Sequence, residues 1–396
     1  GSRAAPARRA RTVRSVMFSA DELEDGARAA TGLQDFGSPY YREGLQRTVD
    51  ALNTEAELSE LGRIIQHATI SNALIQRLKI ENTYAQHPEI EDEVVGGPIF
   101  IIGLPRTGTT ALSQLVAADP QFRSLRMWES QAPTPPPEAA TQHTDPRIAQ
   151  AEESLKMLHD MFPVMKTLYN SEATAATECQ DLMGMSFRTF HFDGVVRVPS
   201  YLAWLMHCDM RETYTFHRRV LRILQWHCPP TLWHLKTPVH VFALDALVEA
   251  YPDAKFMWSH RDPAKVLGSV CSLIRYVRSW SSNRDDPGEL GAEQLDSWAE
   301  GVTRAMDFRN RVGDERFCDV AFADLQHDPV CTLQASYRAL GLTFSDASAH
   351  SVEQWAREHT PGARGAHDYD LADYGLTPEG VRERFADYLR TYDATA

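Results

Sequence analysis

The sequence predicts an α/β fold, a central parallel sheet flanked by helices. Three observations carry that expectation. The run Ile99-Phe100-Ile101-Ile102 is β-rich and lacks polar alternation, as a strand buried on both faces requires. Runs of the same kind recur at 232–235, 256–259 and 318–322, and helix-period segments at 241–250, 264–279 and 292–311 separate them. Strands that alternate with helices in this way pair in parallel through crossover connections.

The elements follow in order. Arg3, Arg8, Arg9, Arg11 and Arg14 lie in an acid-free stretch that predicts a flexible basic tail over 1–18, with contact to anionic lipid or another acidic surface as the alternative reading. Residues 19–95 carry helical spacing: Ser19 suits a helix cap, Leu45, Val49 and Leu52 make one stripe, and Leu58, Leu61, Ile64, Ile65, Ala68 and Ala73 another. This region is expected to pack on the α/β unit of 96–396. The proline-rich stretch 133–146 cannot hold a helix or an inner strand, so it is a loop. Residues 147–229 read as a helical insertion rich in Met, His and aromatics. Within it Met157, Met161, Phe162, Met165, Tyr169, Phe187, Phe190 and Phe192 either line an apolar cleft or, the commoner fate of such stripes, form a helical core.

At 396 residues, with 43% apolar and 24% charged residues, the chain can bury a sizeable core and is neither a disulfide scaffold nor a disordered polymer. The net charge is −14 despite the basic N-terminus, which argues against a general nucleic-acid surface. Six cysteines without any CxxC read as thiols of a reducing compartment and imply no zinc site. No apolar run approaches the ~20 residues of a membrane span, and no apolar stretch follows the basic start, so a soluble cytoplasmic protein without stable membrane insertion is expected.

The first strand runs into Gly103-Leu104-Pro105-Arg106-Thr107-Gly108-Thr109-Thr110 and then into a helix pattern. Two glycines let the backbone curl so that N–H groups and the helix N-terminus converge on one anion. The spacing is close to G-x-x-x-x-G-K-[ST], but Thr109 stands where that pattern requires lysine, and the cation sits inside the loop as Arg106. This displacement weakens a kinase or ATPase reading. His260-Arg261-Asp262 and Asp35-Phe36-Gly37 spell kinase signatures in the wrong order and are coincidental.

Pro-Arg-Thr-Gly-Thr-Thr at 105–110 after a buried strand resembles the 5′-phosphosulfate loop of sulfotransferases that use 3′-phosphoadenosine-5′-phosphosulfate (PAPS). A second motif agrees: Arg261 at a strand end is followed eight residues later by Ser269, as in that family's 3′-phosphate site. Lys236-Thr237 resembles its central lysine element. Phe322-Ala323-Asp324-Leu325 resembles its Tyr-Glu-Asp-Leu segment, and Phe322 has no hydroxyl to offer where the family's tyrosine has one. Arg364, His367 and Tyr369 look like the C-terminal groups that close over the nucleotide in bacterial members, and the chain is nearest the actinobacterial type with a helical N-terminal extension. The resemblance spans about 97–392 and implies a P-loop-type sheet with 147–229 on the acceptor side.

It further implies transfer of a sulfuryl group from PAPS to a hydroxyl acceptor, with release of adenosine 3′,5′-bisphosphate (PAP) and no metal. Arg106 and the backbone of Pro105 to Thr110 (Pro105, Thr107, Gly108, Thr109, Thr110) would hold the 5′ end, Arg261 and Ser269 the 3′-phosphate, and Lys236 the bridging oxygen. For the general base the order of preference is Glu129, His240 and His234, against the plain alternatives of a glutamate ion pair and core histidines. The expected acceptor is a small-molecule or lipid-like hydroxyl compound, a hydrophobic alcohol or a soluble phenol or sugar; a homodimer is compatible with the pattern, and no nucleic-acid partner is expected. The competing readings are a P-loop small-molecule kinase or nucleotide hydrolase, and a non-catalytic nucleotide-binding scaffold.

Overall fold

The computed structural model describes residues 18–168, 172–358 and 369–394. Five strands, β1 (Ile99–Gly103), β2 (Phe122–Ser124), β3 (Leu232–Lys236), β4 (Lys255–His260) and β5 (Phe317–Ala321), form one sheet in the order β2-β3-β1-β4-β5. Every pairing is parallel. All five residues of β1 are buried, as its unbroken apolar run predicts for a central strand covered on both faces.

The pleat sorts side chains between two cores. Phe100, Ile102, Trp233, Leu235, Phe256 and Trp258 face the main core, whereas Ile99, Ile101 and Met257 face a second core with Leu112, Leu115 and Val116 of the helix after β1. Because His234 and Lys236 pair with Ile99 and Ile101, they lie on this second face. β5 is an edge strand with Asp319 exposed.

Three details depart from the sequence expectation. β2 is an additional strand: it has three residues, two of them polar, and pairs at the sheet edge with β3. The helix expected over 241–250 divides into a 3₁₀ turn, Pro238–Phe242, and a short helix, Leu244–Ala250. Phe322 opens the helix Phe322–His327 instead of ending β5.

Helices α1 (Ala20–Thr31), α2 (Tyr41–Thr54) and α3 (Glu60–Gln86) precede the sheet. Ser19 caps α1 by accepting from the Glu22 amide at 3.4 Å. Leu45, Val49 and Leu52 are buried as their spacing predicts. In α3 the buried stripe runs through Ile70, Leu74 and Leu78, while Ile64 is 63% exposed, so the predicted stripe is displaced toward the C-terminus. Buried Arg77 ties these helices to the rest: its guanidinium donates to the carbonyls of Phe36 (2.7 Å), Ser38 (3.1 Å) and Met185 (3.2 Å), between the rings of Tyr41 and Phe216.

After β1 come α4 (Thr109–Ala118), α5 (Met127–Gln131) and, beyond the proline-rich loop, α6 (Pro146–Met161), capped by Asp145. Short helices Gln180–Gly184, His191–Val195 and Pro199–Leu205 and the longer Arg211–Gln225 return the chain to β3. Here Met165, Phe187 and Phe192 are core, Met157 and Met161 are exposed, and Phe190 stacks on Phe242. These residues therefore divide between core and surface instead of lining one cleft, and Tyr169 lies outside the described residues. Among the described residues no helix is long and apolar enough to cross a membrane, and the six cysteines are free.

Candidate active site

Sheet order places the site. β1 lies between β3 and β4, so the loop leaving β1 is flanked by the C-terminal ends of both, where open α/β sheets bind ligands. Lys236 emerges on one side and Arg261 on the other.

The loop is held in an unusual backbone. Gly103 has φ 135°, and a Cβ there would lie 2.6 Å from the Ser259 carbonyl oxygen, so only glycine fits beside β4. Arg106 takes the left-handed region at φ 66°, and Gly108 precedes α4 at φ 86°. Strain at a non-glycine residue persists only where its surroundings fix it. Thr107 does this: its buried hydroxyl lies 2.6 Å from both the Leu104 carbonyl and Ser259 Oγ. Its side chain thus braces the loop from inside. Thr109 is likewise buried, Pro105 is half-buried and Thr110 is exposed.

The second motif meets the first directly. Arg106 Nε donates to Ser269 Oγ at 3.1 Å, and an Arg261 N–H donates to the Arg106 carbonyl at 3.0 Å. Asp262 is fully buried, caps the helix Pro263–Ser281 through the Ala264 amide (3.0 Å) and pairs with Arg382 at 2.7 Å. The turn carrying Arg261 is fixed by that cap. Burial pulls the Arg261 pKa down. The Tyr369 hydroxyl donates to the Lys265 carbonyl at 3.1 Å and its ring lies against Gly268, next to Ser269. Arg364 and His367 lie outside the described residues.

On the other flank, Lys236 is 3% exposed and donates to Glu178 Oε1 at 2.7 Å. Glu178 Oε2 accepts from Thr237 Oγ1 (2.9 Å) and Gln180 Nε2 (3.1 Å). Burial pushes this carboxyl up, but the Lys236 ammonium and these donors outweigh it and hold it below the ordinary carboxylate value. Its side chain keeps 25% exposure. Close by, Asp181 accepts from Ser130 Oγ at 2.6 Å. Asp181 and His191 are exposed, yet the protein around them raises the first and lowers the second, as in a recess. Sequence reasoning missed Glu178, Asp181 and His191. They stand on short, irregular segments with no spacing signature; Glu178 is placed by the Cys179 amide donating to the Lys236 carbonyl at 3.0 Å.

The three residues considered as base are placed differently. Glu129 is fully buried on α5: Oε1 meets Arg123 of β2 at 2.5 Å, and Oε2 accepts from the Arg126 amide at 3.1 Å. His240 is buried edge-on to Phe100, its Nδ1 2.9 Å from the Tyr214 hydroxyl. His234 is buried one pleat behind Lys236, its Nδ1 2.8 Å from Ser124 Oγ. The structure joins Arg106, Arg261 and Ser269, sets Lys236 beyond the loop with Glu178, and leaves Glu129 and His240 in packed interior. Among the described residues no group of three or more His, Cys, Asp or Glu could hold a metal ion.

A sulfotransferase family model matches residues 98–346. The omega-hydroxy-beta-dihydromenaquinone-9 sulfotransferases Stf3 of Mycobacterium bovis and Mycobacterium tuberculosis are each 26% identical over 311 residues, 76% of either chain. The crystal structure of sulfotransferase STF1 from Mycobacterium tuberculosis is 35% identical, with TM-score 0.85 over 94% of this chain and 100% of that one. That of STF9 from Mycobacterium avium is 33% identical, with TM-score 0.88 over 95% and 97%. The loop, its flanking cations and this likeness along the chain agree: the protein belongs to the sulfotransferase family.

Proposed function

We propose that the protein moves a sulfuryl group from PAPS to the hydroxyl of a small-molecule or lipid-like acceptor and releases PAP. The observation that carries this reading is the contact of Arg106 with both Ser269 and Arg261, which supports two adjoining anion pockets. One consists of main-chain N–H groups at the start of α4, the other of a guanidinium and a hydroxyl. A donor with phosphates at both 5′ and 3′ positions fits that pair, and ATP uses only the first.

Arg106 and the loop amides hold the 5′-phosphate and the sulfate, and Arg261 and Ser269 hold the 3′-phosphate. Lys236 neutralises charge on the bridging oxygen as the S–O bond to phosphate breaks and the bond to the acceptor oxygen forms. The acceptor's proton goes to Glu178. Glu129 cedes this role because its carboxylate is fully buried and out of reach of an acceptor, and His240 because its ring is enclosed. Glu178 is ionised and accessible and touches Lys236, so one group takes the proton where the other meets the leaving oxygen. A lipid-like alcohol is supported by relatives named for an omega-hydroxylated dihydromenaquinone.

The test is calorimetry with PAP, followed by transfer from ³⁵S-labelled PAPS to a panel of phenols and long-chain alcohols. PAP binds one to one, and Glu178→Gln keeps binding while losing transfer. Thermal protection by magnesium-ATP and none by PAP would overturn the reading in favour of a kinase.

A further inference from the structure

Phe322 stands where the family resemblance puts a tyrosine, and its ring touches both anion pockets. It opens the helix after β5, beside the end of β4 that launches Arg261. The Arg261 guanidinium lies over the ring, 4.1 Å from its centroid. The same ring closes on the start of α4: a Cβ on Gly108 would lie 2.7 Å from Phe322 Cδ2 and 3.1 Å from Cε2. Arg261 in turn donates to the Arg106 carbonyl, and Arg106 to Ser269. Phe322 thus touches Arg261, which is hydrogen-bonded to Arg106, and also touches Gly108, which follows Arg106 two residues along the same loop.

A phosphate-binding guanidinium poses a physical problem that this arrangement solves. Arg261 is half-buried, and among the described residues no carboxylate lies in ion-pair contact with it: Asp262, which acts on it from a distance, pairs with Arg382. A carboxylate would fix its plane but also cancel its charge and occupy its N–H donors. An aromatic face restrains the plane by a cation–π contact and uses none of them. The Gly108 contact then ties that restraint to the loop at the other pocket.

We propose that Phe322 is a positioning residue for the donor: its ring holds Arg261 in its phosphate-binding pose and braces the glycine loop, so that the 3′ and 5′ ends of the nucleotide are bound cooperatively. This rests on the donor assignment above. A tyrosine there would supply the same ring face, so the aromatic surface rather than a hydroxyl is the required feature.

The experiment is calorimetry on the full chain with PAP, 5′-AMP and 3′-AMP, with melting temperatures recorded alongside. Phe322→Leu weakens PAP about tenfold, as removal of a partly desolvated cation–π interaction predicts, and Phe322→Tyr stays within about threefold of the parent. In an Arg261→Ala background Phe322→Leu costs PAP less than about threefold, because the group it orients is gone. The PAP loss also exceeds that for either monophosphate. Phe322→Met, similar in volume but without a ring, replaces the leucine variant if the latter fails to fold. Equal damage from tyrosine and leucine at unchanged melting temperature overturns the proposal, as does full additivity with Arg261→Ala. Failure of the parent chain to bind PAP is a different result, since it removes the donor assignment itself.

Discussion

The two flanks of the phosphate loop are built in different ways. On the Arg261 side, Gly103, Arg106, Gly108 and Arg261 sit at strand ends and helix starts, and Ser269 two turns into the helix that follows Arg261, where backbone geometry fixes them. On the Lys236 side, Glu178, Asp181 and His191 stand on or beside helices of five residues, and only tertiary contacts hold them. Two ion pairs show what that difference means. Arg123–Glu129 and Lys236–Glu178 have the same chemistry and similar lengths, 2.5 and 2.7 Å. Glu129 is sealed, with one oxygen on Arg123 and the other on a helix amide, whereas Glu178 keeps an accessible edge. Contact with a cation does not make a carboxylate a base. Access to the reacting group does.

The largest effect expected from that contrast is catalytic. Glu178→Gln keeps the hydrogen-bonding shape but cannot take the acceptor's proton, so transfer falls by about 10²- to 10⁴-fold. PAP affinity changes little, since the carboxylate is not part of either anion pocket. The contrast fails if Glu178→Gln retains near-parental turnover with any acceptor the parent sulfates. Next in size is the sealed pair. Glu129→Gln leaves Arg123 uncompensated beneath the sheet edge, and removal of one partner of a buried pair costs about 3–5 kcal/mol of stability. Urea denaturation reads this directly; folded variant that remains should turn over at the parental rate per molecule. Unchanged stability together with lost turnover would restore Glu129 as base.

The same contrast explains what the sequence made legible. β1, β3, β4 and β5 announced themselves as apolar runs, and the glycine loop, Arg261 and Ser269 lay at spacings that the backbone itself imposes. β2 did not, because three residues containing Arg123 and Ser124 carry no strand signal; they pair only because β3 offers an open edge. Glu178 was invisible for a related reason. Its neighbours in space, Lys236, Thr237 and Gln180, include two that lie about 60 residues away, and no local period connects 178 with 236. Glu129 stands after the loop helix in the right order along the chain, but order does not reveal that Arg123 encloses it.

A smaller effect tests the nucleotide flank. Arg261→Ala removes a charge-assisted phosphate contact and weakens PAP by about 1.5–3 kcal/mol, roughly 10- to 150-fold, while 5′-AMP binding changes less. Asp262 still caps its helix, so the melting temperature moves little. Equal losses for both nucleotides would mean that Arg261 does not distinguish the 3′ end.

The smallest effect per residue concerns pH, and it crosses both flanks. Burial lowers His217 and, together with the nearby Lys236 charge, His234 to about 3; it also drives His240 well below the ordinary histidine value. His234 lies behind Lys236, while His217 and His240 meet the Tyr251 and Tyr214 hydroxyls. All three are neutral when folded, and in the unfolded chain they titrate near ~6.5. Below that value the unfolded state binds more protons, so the stability they contribute is complete above it and is lost as pH falls. The loss approaches about 1.4 kcal/mol per pH unit for each histidine. Between pH 7.5 and 5.5 unfolded carboxylates, near ~4, stay ionised, so the unfolded chain takes up protons there chiefly on histidines, while burial raises the folded Asp181 and Asp193 carboxyls and opposes the effect. The midpoint should fall on acidification, and His217→Gln should shrink the fall by about a third of the share owed to these three. If His217→Gln leaves the fall unchanged, the His217 imidazole accepts its proton in the folded chain and contributes nothing to the pH dependence.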